Sequence, residues 1–225
     1  RSTLFPYTTL FRSLLLSPLL ALAQTWPVTV KDIDNRTVTI PQEPQRIILQ
    51  DGRDILTLAM LEPKDPFAKV VAWNNLPKKQ DTETWNVLKR KWPEAERILD
   101  MKFSDQGNVD LETVISRKPD LMIAQLRAKP ALTQSGVLTQ LEALHVPVVF
   151  VDYELHPVEN TRASISLLGK VLGQPERAQA YVDFYQQRLD QIHQRLAKAG
   201  KKPLVFIEPI AGVAGLDNGC CFTHA

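Results

Sequence analysis

Residues 108–151 constrain the fold more than any other stretch of this chain. Asn108–Ala124 (NVDLETVISRKPDLMIA) reads as a short amphipathic helix, a Lys118-Pro119-Asp120 turn and a buried strand. From Gln125 to Val151 the pattern repeats, with a second helix and the all-apolar strand VPVVFV. Strands apolar on both faces, separated by helix-length segments, belong to a parallel sheet covered by helices on each side. The fold class expected is therefore α/β.

The preceding residues fit the same scheme. Val28–Asp32 and Arg36–Ile40 alternate in polarity around Ile33-Asp34-Asn35 and predict a hairpin. Arg46–Leu49 and Lys69–Ala72 are short buried strands. Asp54–Leu61 is a helix capped by Asp51 or Asp54 and stopped at Glu62-Pro63. Asp81–Lys91 is another, with Trp85, Leu88 and Trp92 on one face. Asp110–Arg117 follows with Asp110 as its cap, and Ser135–Leu144 separates the last two strands. Beyond Val158 the pattern is helical. Asn160–Leu172 ends at Gly173 and Pro175, and Glu176–Ala199 is long enough to extend roughly 36 Å.

Charge excludes one class of partner. The formal net charge is +2, and the excess lies in Arg1 and Arg12. The remainder is balanced, so no basic field exists for nucleic acid or an acidic membrane surface. Leu14–Leu22 is a short apolar run followed by Ala21-Leu22-Ala23, the small-x-small pattern of a signal-peptidase site. It is too short to span a bilayer. Residues 1–13 lack the basic n-region of a leader and read as non-native. At the other end, Leu204–Ile207 is a lone strand, which points to a second domain that is mostly missing. The domain division expected is 1–23 leader and signal, 24–155 N-terminal α/β lobe, 156–200 helical pair, and 201–225 the start of a truncated lobe.

Four strands run into polar or aromatic loops: 50–53, 73–75, 125–127 and 152–153. Right-handed crossovers place such loops along one edge of a parallel sheet. Ligands of open α/β sheets bind at that carboxyl edge. The candidate binding residues are Gly52, Arg53, Trp73, Asn74, Gln125, Arg127 and Tyr153. Each has a plain structural alternative. The arginines could be solvated, Trp73 and Tyr153 could be packed, and Asn74 and Gln125 could cap turns. Asp51 and Asp152 are the one acidic strand-end pair, and no histidine accompanies them, so the pattern of a hydrolytic centre is weak.

The chain resembles the periplasmic binding proteins of ABC importers for iron chelates, haem and vitamin B12. The resemblance rests on three motifs in order. Val30–Ile48 is similar to the family's opening D-x-x-G-R-x-V-x-I-P-x-x-P-x-R-I-V, with Asn35 in place of glycine. Asn108–Ile123 is similar to N-x-E-x-I-x-x-L-x-P-D-L-V-I, and Ile165–Ala178 to I-x-x-L-G-x-x-L-G-x-x-x-x-A. Together they cover about residues 26–220. The resemblance implies two Rossmann-like lobes joined by a long bridging helix, Glu176–Ala199, with the second lobe mostly missing here. It implies a periplasmic, monomeric carrier without catalysis or cofactor. Its partners would be an inner-membrane permease with its ATPase and a small-molecule iron chelate.

Within that resemblance a ferric siderophore comes first, because Arg53 and Arg127 beside aromatic residues suit an anionic chelate. Haem, cobalamin, an exported chelatase-like enzyme and a signalling module are the alternatives. Cys220-Cys221 follows the first strand of the second lobe, where family members face the cleft. The pair is a candidate for ligand contact, a strained vicinal disulfide is its structural alternative, and a metal site with His224 is disfavoured.

Overall fold

A computed structural model describes residues 24–103, 111–198 and 200. The signal run, Asp110, Leu204–Ile207 and Cys220-Cys221 lie outside the described residues.

The chain opens with an antiparallel hairpin, β1 (Val28–Lys31) and β2 (Thr37–Ile40). Its turn needs a left-handed residue, and Asn35 takes that role at φ 61°. Asp32 and Arg36 then fasten the hairpin to the sheet. Arg36 Nη2 donates to Asp32 Oδ2 at 2.6 Å and to the carbonyl of Val148 at 2.7 Å. Its guanidinium lies 4.5 Å from the centre of the Phe150 ring.

The main sheet is wholly parallel. In chain order it comprises β3 (Ile47–Leu49), β4 (Val70–Trp73), β5 (Leu99–Asp100), β6 (Leu121–Gln125) and β7 (Val148–Val151), arranged β5-β4-β3-β6-β7. The helices between and after these strands are α1 (Ile55–Leu61), α2 (Leu76–Gln80), α3 (Thr82–Lys91), α4 (Leu111–Ser116), α5 (Lys129–Gln134), α6 (Val137–Ala143), α7 (Pro157–Val171) and α8 (Pro175–Leu196). The Pro119-Asp120 motif is structural. Asp120 accepts the amides of Gln45 and Arg46 at 2.8 and 2.9 Å, which aligns the starts of β3 and β6.

Strand alternation divides the interior into two cores. Ile47, Leu49, Leu121, Ile123, Val149 and Val151 pack with residues of the hairpin, α1, α3, α7 and Ala178 of α8. Ile48, Met122, Ala124, Val148 and Phe150 face the other way, onto Val114 of α4, Leu132 of α5, and Val137 and Leu141 of α6. This is a three-layer α/β lobe. The α7–α8 pair crosses closely at Gly169, where an added Cβ would lie 2.3 Å from that of Ala178.

One expected helix is shortened, and a separate helix precedes it. The Ser135–Leu144 segment starts late, at α6, because Gly136 has φ +75° and breaks the run. The residues before it form α5, for which Pro130 stands in the first turn, where its missing N–H costs nothing.

Candidate functional site

The order of the sheet creates a switch point. After β3 the chain moves outward through β4 and β5, then returns to the other side of β3 as β6. The loops leaving β3 and β6 therefore diverge, and a crevice opens between them. Residues 50–54 and 125–127 form its two sides.

Asp51 organises the crevice. Its carboxylate accepts the amide of Arg53 at 2.9 Å and so caps the single 3-10 turn Gly52–Asp54. Gly52 permits this turn, because a Cβ there would meet the Asn74 carbonyl oxygen at 2.2 Å. The same carboxylate takes Arg53 Nη2 at 2.6 Å and Arg127 Nη2 at 2.8 Å on Oδ2. Burial pushes the Asp51 carboxyl up, but the Arg53 and Arg127 hydrogen bonds outweigh it and hold it below the usual carboxylate range. On the outer side both arginines meet Glu154. Arg53 Nη2 donates to Glu154 Oε1, and Arg127 Nε lies 2.8 Å from Glu154 Oε2. Two cations and two anions thus close a ring across the crevice.

Beneath the ring lies a cleft of about 300 Å³, lined by Asp51, Arg53, Asp54, Leu56, Thr57, Gln125, Tyr153 and Glu154. Its floor is polar and buried. Gln125 Nε2 donates to Asp54 Oδ1 at 2.5 Å, while Asp54 Oδ2 and Gln125 Oε1 have no hydrogen-bond partner. Burial, reinforced by the charge of Asp51, raises the Asp54 carboxyl well above the usual range. Two polar oxygens, Asp54 Oδ2 and Gln125 Oε1, are thus left unpaired on this floor. Tyr153 forms one wall, with its hydroxyl accepting from Thr57 at 3.3 Å. Burial also pushes its phenol far above the usual range, so it stays neutral.

The structure places Gly52, Arg53, Gln125, Arg127 and Tyr153 at this crevice, Gly52 as backbone support. Trp73 and Asn74 stand beside Gly52 but do not line the cleft. Trp73 is fully buried, 5.5 Å edge-on from Phe67 and 6.0 Å from Trp85 by ring centroids. It is the last residue of β4, and alternation points it into the core. Asn74 is buried and occupied, accepting Lys79 Nζ at 2.8 Å. Cys220 and Cys221 lie outside the described residues. Glu154, Asp54 and Thr57 were missed. Glu154 follows Tyr153 in the same strand-end loop, and that adjacency was the available signal.

The acidic pair does not assemble. Asp152 accepts the amides of Glu154, Leu155 and His156 and the side chain of Asn160, and so caps the turn into α7. Burial would raise its carboxyl, but Asn160 and the three amides hold it low. Asp51 is bound by the two arginines. Neither is positioned as an acid or base. Among the described residues no group of three His, Cys, Asp or Glu side chains is placed to hold a metal ion.

Residues 47–216 match the model of a family described as periplasmic binding protein. The chain belongs to that family. It is a family of transport binding proteins, not of enzymes. An uncharacterized ABC transporter substrate-binding lipoprotein, YvrC of Bacillus subtilis, is 28% identical over 188 residues, 82% of this chain and 53% of the relative. The TroA-like periplasmic binding protein FepB of Veillonella parvula superposes with a TM-score of 0.71 at 23% identity, covering 79% of this chain and 52% of that one. The siderophore-binding protein BauB, solved with two acinetobactin molecules and ferric iron, gives a TM-score of 0.58 at 19% identity, over 80% and 58%. These likenesses establish the fold. The chain spans about half the length of each.

Proposed function

We propose that the family member described here captures an anionic ferric chelate outside the cytoplasm and delivers it to an ABC permease driven by its ATPase. The observation that carries this reading is the convergence of Arg53 and Arg127 at the switch-point crevice. Arg presents a planar, permanently charged fork that suits carboxylate or phenolate oxygens. Tyr153 and the half-exposed Leu56 would supply apolar wall to a chelate's organic shell. Gln125 and Asp54, each with an unpaired oxygen, would bind its hydrogen-bonding groups. BauB, a structural neighbour, is named for binding a siderophore, which supports the class of ligand without identifying it.

In this reading residues 24–155 form one lobe, residues 156–200 the helical pair, and residues from 201 the start of a second lobe. The 22 residues of α8 extend about 33 Å. Only Ala178 of α8 is buried, while Phe184, Ile192 and Leu196 are exposed. Such a helix suits a bridge between lobes. Cys220 and Cys221 would then approach the ligand from the second lobe.

The test is calorimetric titration of the intact protein with ferric tris-catecholate, ferric tris-hydroxamate, ferric citrate, haem and cobalamin. Saturable binding of one iron chelate, weakened at least tenfold by Arg53→Ala or Arg127→Ala, is the expected result. Binding of haem or cobalamin alone, or of none of the five, would overturn the ferric reading.

A further inference from the structure

We propose that Glu154 acts as a built-in stand-in for the ligand's anion, and that its displacement sets how much negative charge a ligand must carry. The proposal rests on the reading of the crevice as an anion-binding site and goes on to its selectivity.

The two carboxylates of the ring are not equivalent. Asp51 has 1% of its side chain exposed and anchors the loop by capping the turn at Arg53. Removing it would break the loop as well as the ion pairs. Glu154 is 39% exposed and makes no cap of its own. Its backbone is held independently, because its amide donates to Asp152 Oδ1 at 2.9 Å. The side chain can therefore swing away without disturbing β7 or α7.

Glu154 also sits where a ligand carboxylate would sit. One of its oxygens reaches Arg53 and the other Arg127. This is the two-point contact by which an external carboxylate would bridge the pair. Among the described residues the ring with Glu154 in place carries two positive and two negative charges, so these four groups present no net attraction to an anion. With Glu154 displaced it carries a net positive charge, which an anionic ligand can match. Half-exposed ion pairs are weak and yield to a better-placed anion, whereas a buried one such as that of Asp51 does not. A neutral ligand gains nothing from the exchange. Glu154 would thereby discriminate against neutral complexes by leaving them to compete with an occupied pair.

The experiment compares the intact protein with Glu154→Gln, which keeps the shape and removes the charge. Circular dichroism verifies the fold, and Glu154→Ala serves as a second variant. The probes are iron-free citrate, ferric citrate and neutral ferric tris-hydroxamate, titrated by calorimetry at low salt and at about 0.15 M salt. The expected result is citrate binding about three- to tenfold tighter in the variant, with the gain shrinking as salt rises. Hydroxamate affinity should be the same in both proteins. Equal or weaker citrate binding in both variants would overturn the proposal, as would no citrate binding by any of the three proteins. Tighter citrate with no iron complex bound would keep the role of Glu154 and remove the ferric reading. Ferric citrate bound equally by all three would do the reverse.

Discussion

Arg127 Nη2 lies 2.8 Å from Asp51 Oδ2, joining loops that leave β3 and β6 on opposite sides of the switch point. This contact spans 76 positions of sequence and brings a second guanidinium to a carboxylate already bound by Arg53. The crevice is thus shaped by its own charges, with Asp51 as the inner counter-ion and Glu154 as the outer one.

Asp51→Asn should destabilise the fold. It leaves two guanidinium groups without their inner partner and weakens the cap on the 52–54 turn. The arginines are partly solvated, at 46% and 27% side-chain exposure, which discounts the loss. The expected cost is about 2–3 kcal/mol, below that of breaking a fully buried pair. Urea denaturation measures it, and an unchanged midpoint would contradict the role given to Asp51.

Asp54→Asn should stabilise the protein at neutral pH. The Asp54 carboxyl is raised in the folded state, so its contribution is complete below its unfolded value near pH 4 and is lost as pH rises toward the folded one. The variant lacks this loss. Its advantage over the wild type should be absent below about pH 4 and grow above it. Asp51 and Asp152, both lowered, act in the opposite sense and lose their contribution as pH falls. Thermal melts of the two proteins from acid to neutral pH would display the divergence; parallel curves would mean that Asp54 is ionised in the fold.

Trp73→Ala should cost about 3–5 kcal/mol, as expected for an aromatic side chain removed from a packed core. Trp73→Phe should lower stability by less and leave ligand affinity within about twofold, because the ring does not line the cleft. A large loss of affinity in a stably folded Trp73→Phe protein would return the residue to the binding site.

Asp152→Ala should lower stability by about 1–2 kcal/mol through loss of the hydrogen bonds that hold the turn before α7. The change releases the Glu154 amide as well. Unchanged stability would mean that the turn into α7 is held by its backbone alone.

The local patterns were legible because they depend on near neighbours. Alternation around Asp34-Asn35 announced the hairpin, and Asn35 takes the left-handed conformation expected of it. Apolar runs at 46–49, 121–124 and 148–151 announced buried strands, and helix-length spacers announced their parallel order. The same reasoning brought Arg53, Gln125, Arg127 and Tyr153 to one edge, because a parallel sheet aligns all its carboxyl ends.

Tertiary structure decided which strand-end side chains face the cleft and which of them pair. A strand turns its side chains over at every residue, so a position at the very end of β4 could equally have faced core or crevice. For Trp73 the packing of Phe67 and Trp85 settled it. The pairing of Arg53 with Glu154 spans 101 positions, and the upward push on the Asp54 carboxyl follows from burial produced by the surrounding fold. The sequence by itself determined the α/β scheme and the sheet edge at which the crevice opens, because both follow from local periodicity. The charges that fill the site were decided by contacts between distant loops, which local periodicity does not encode.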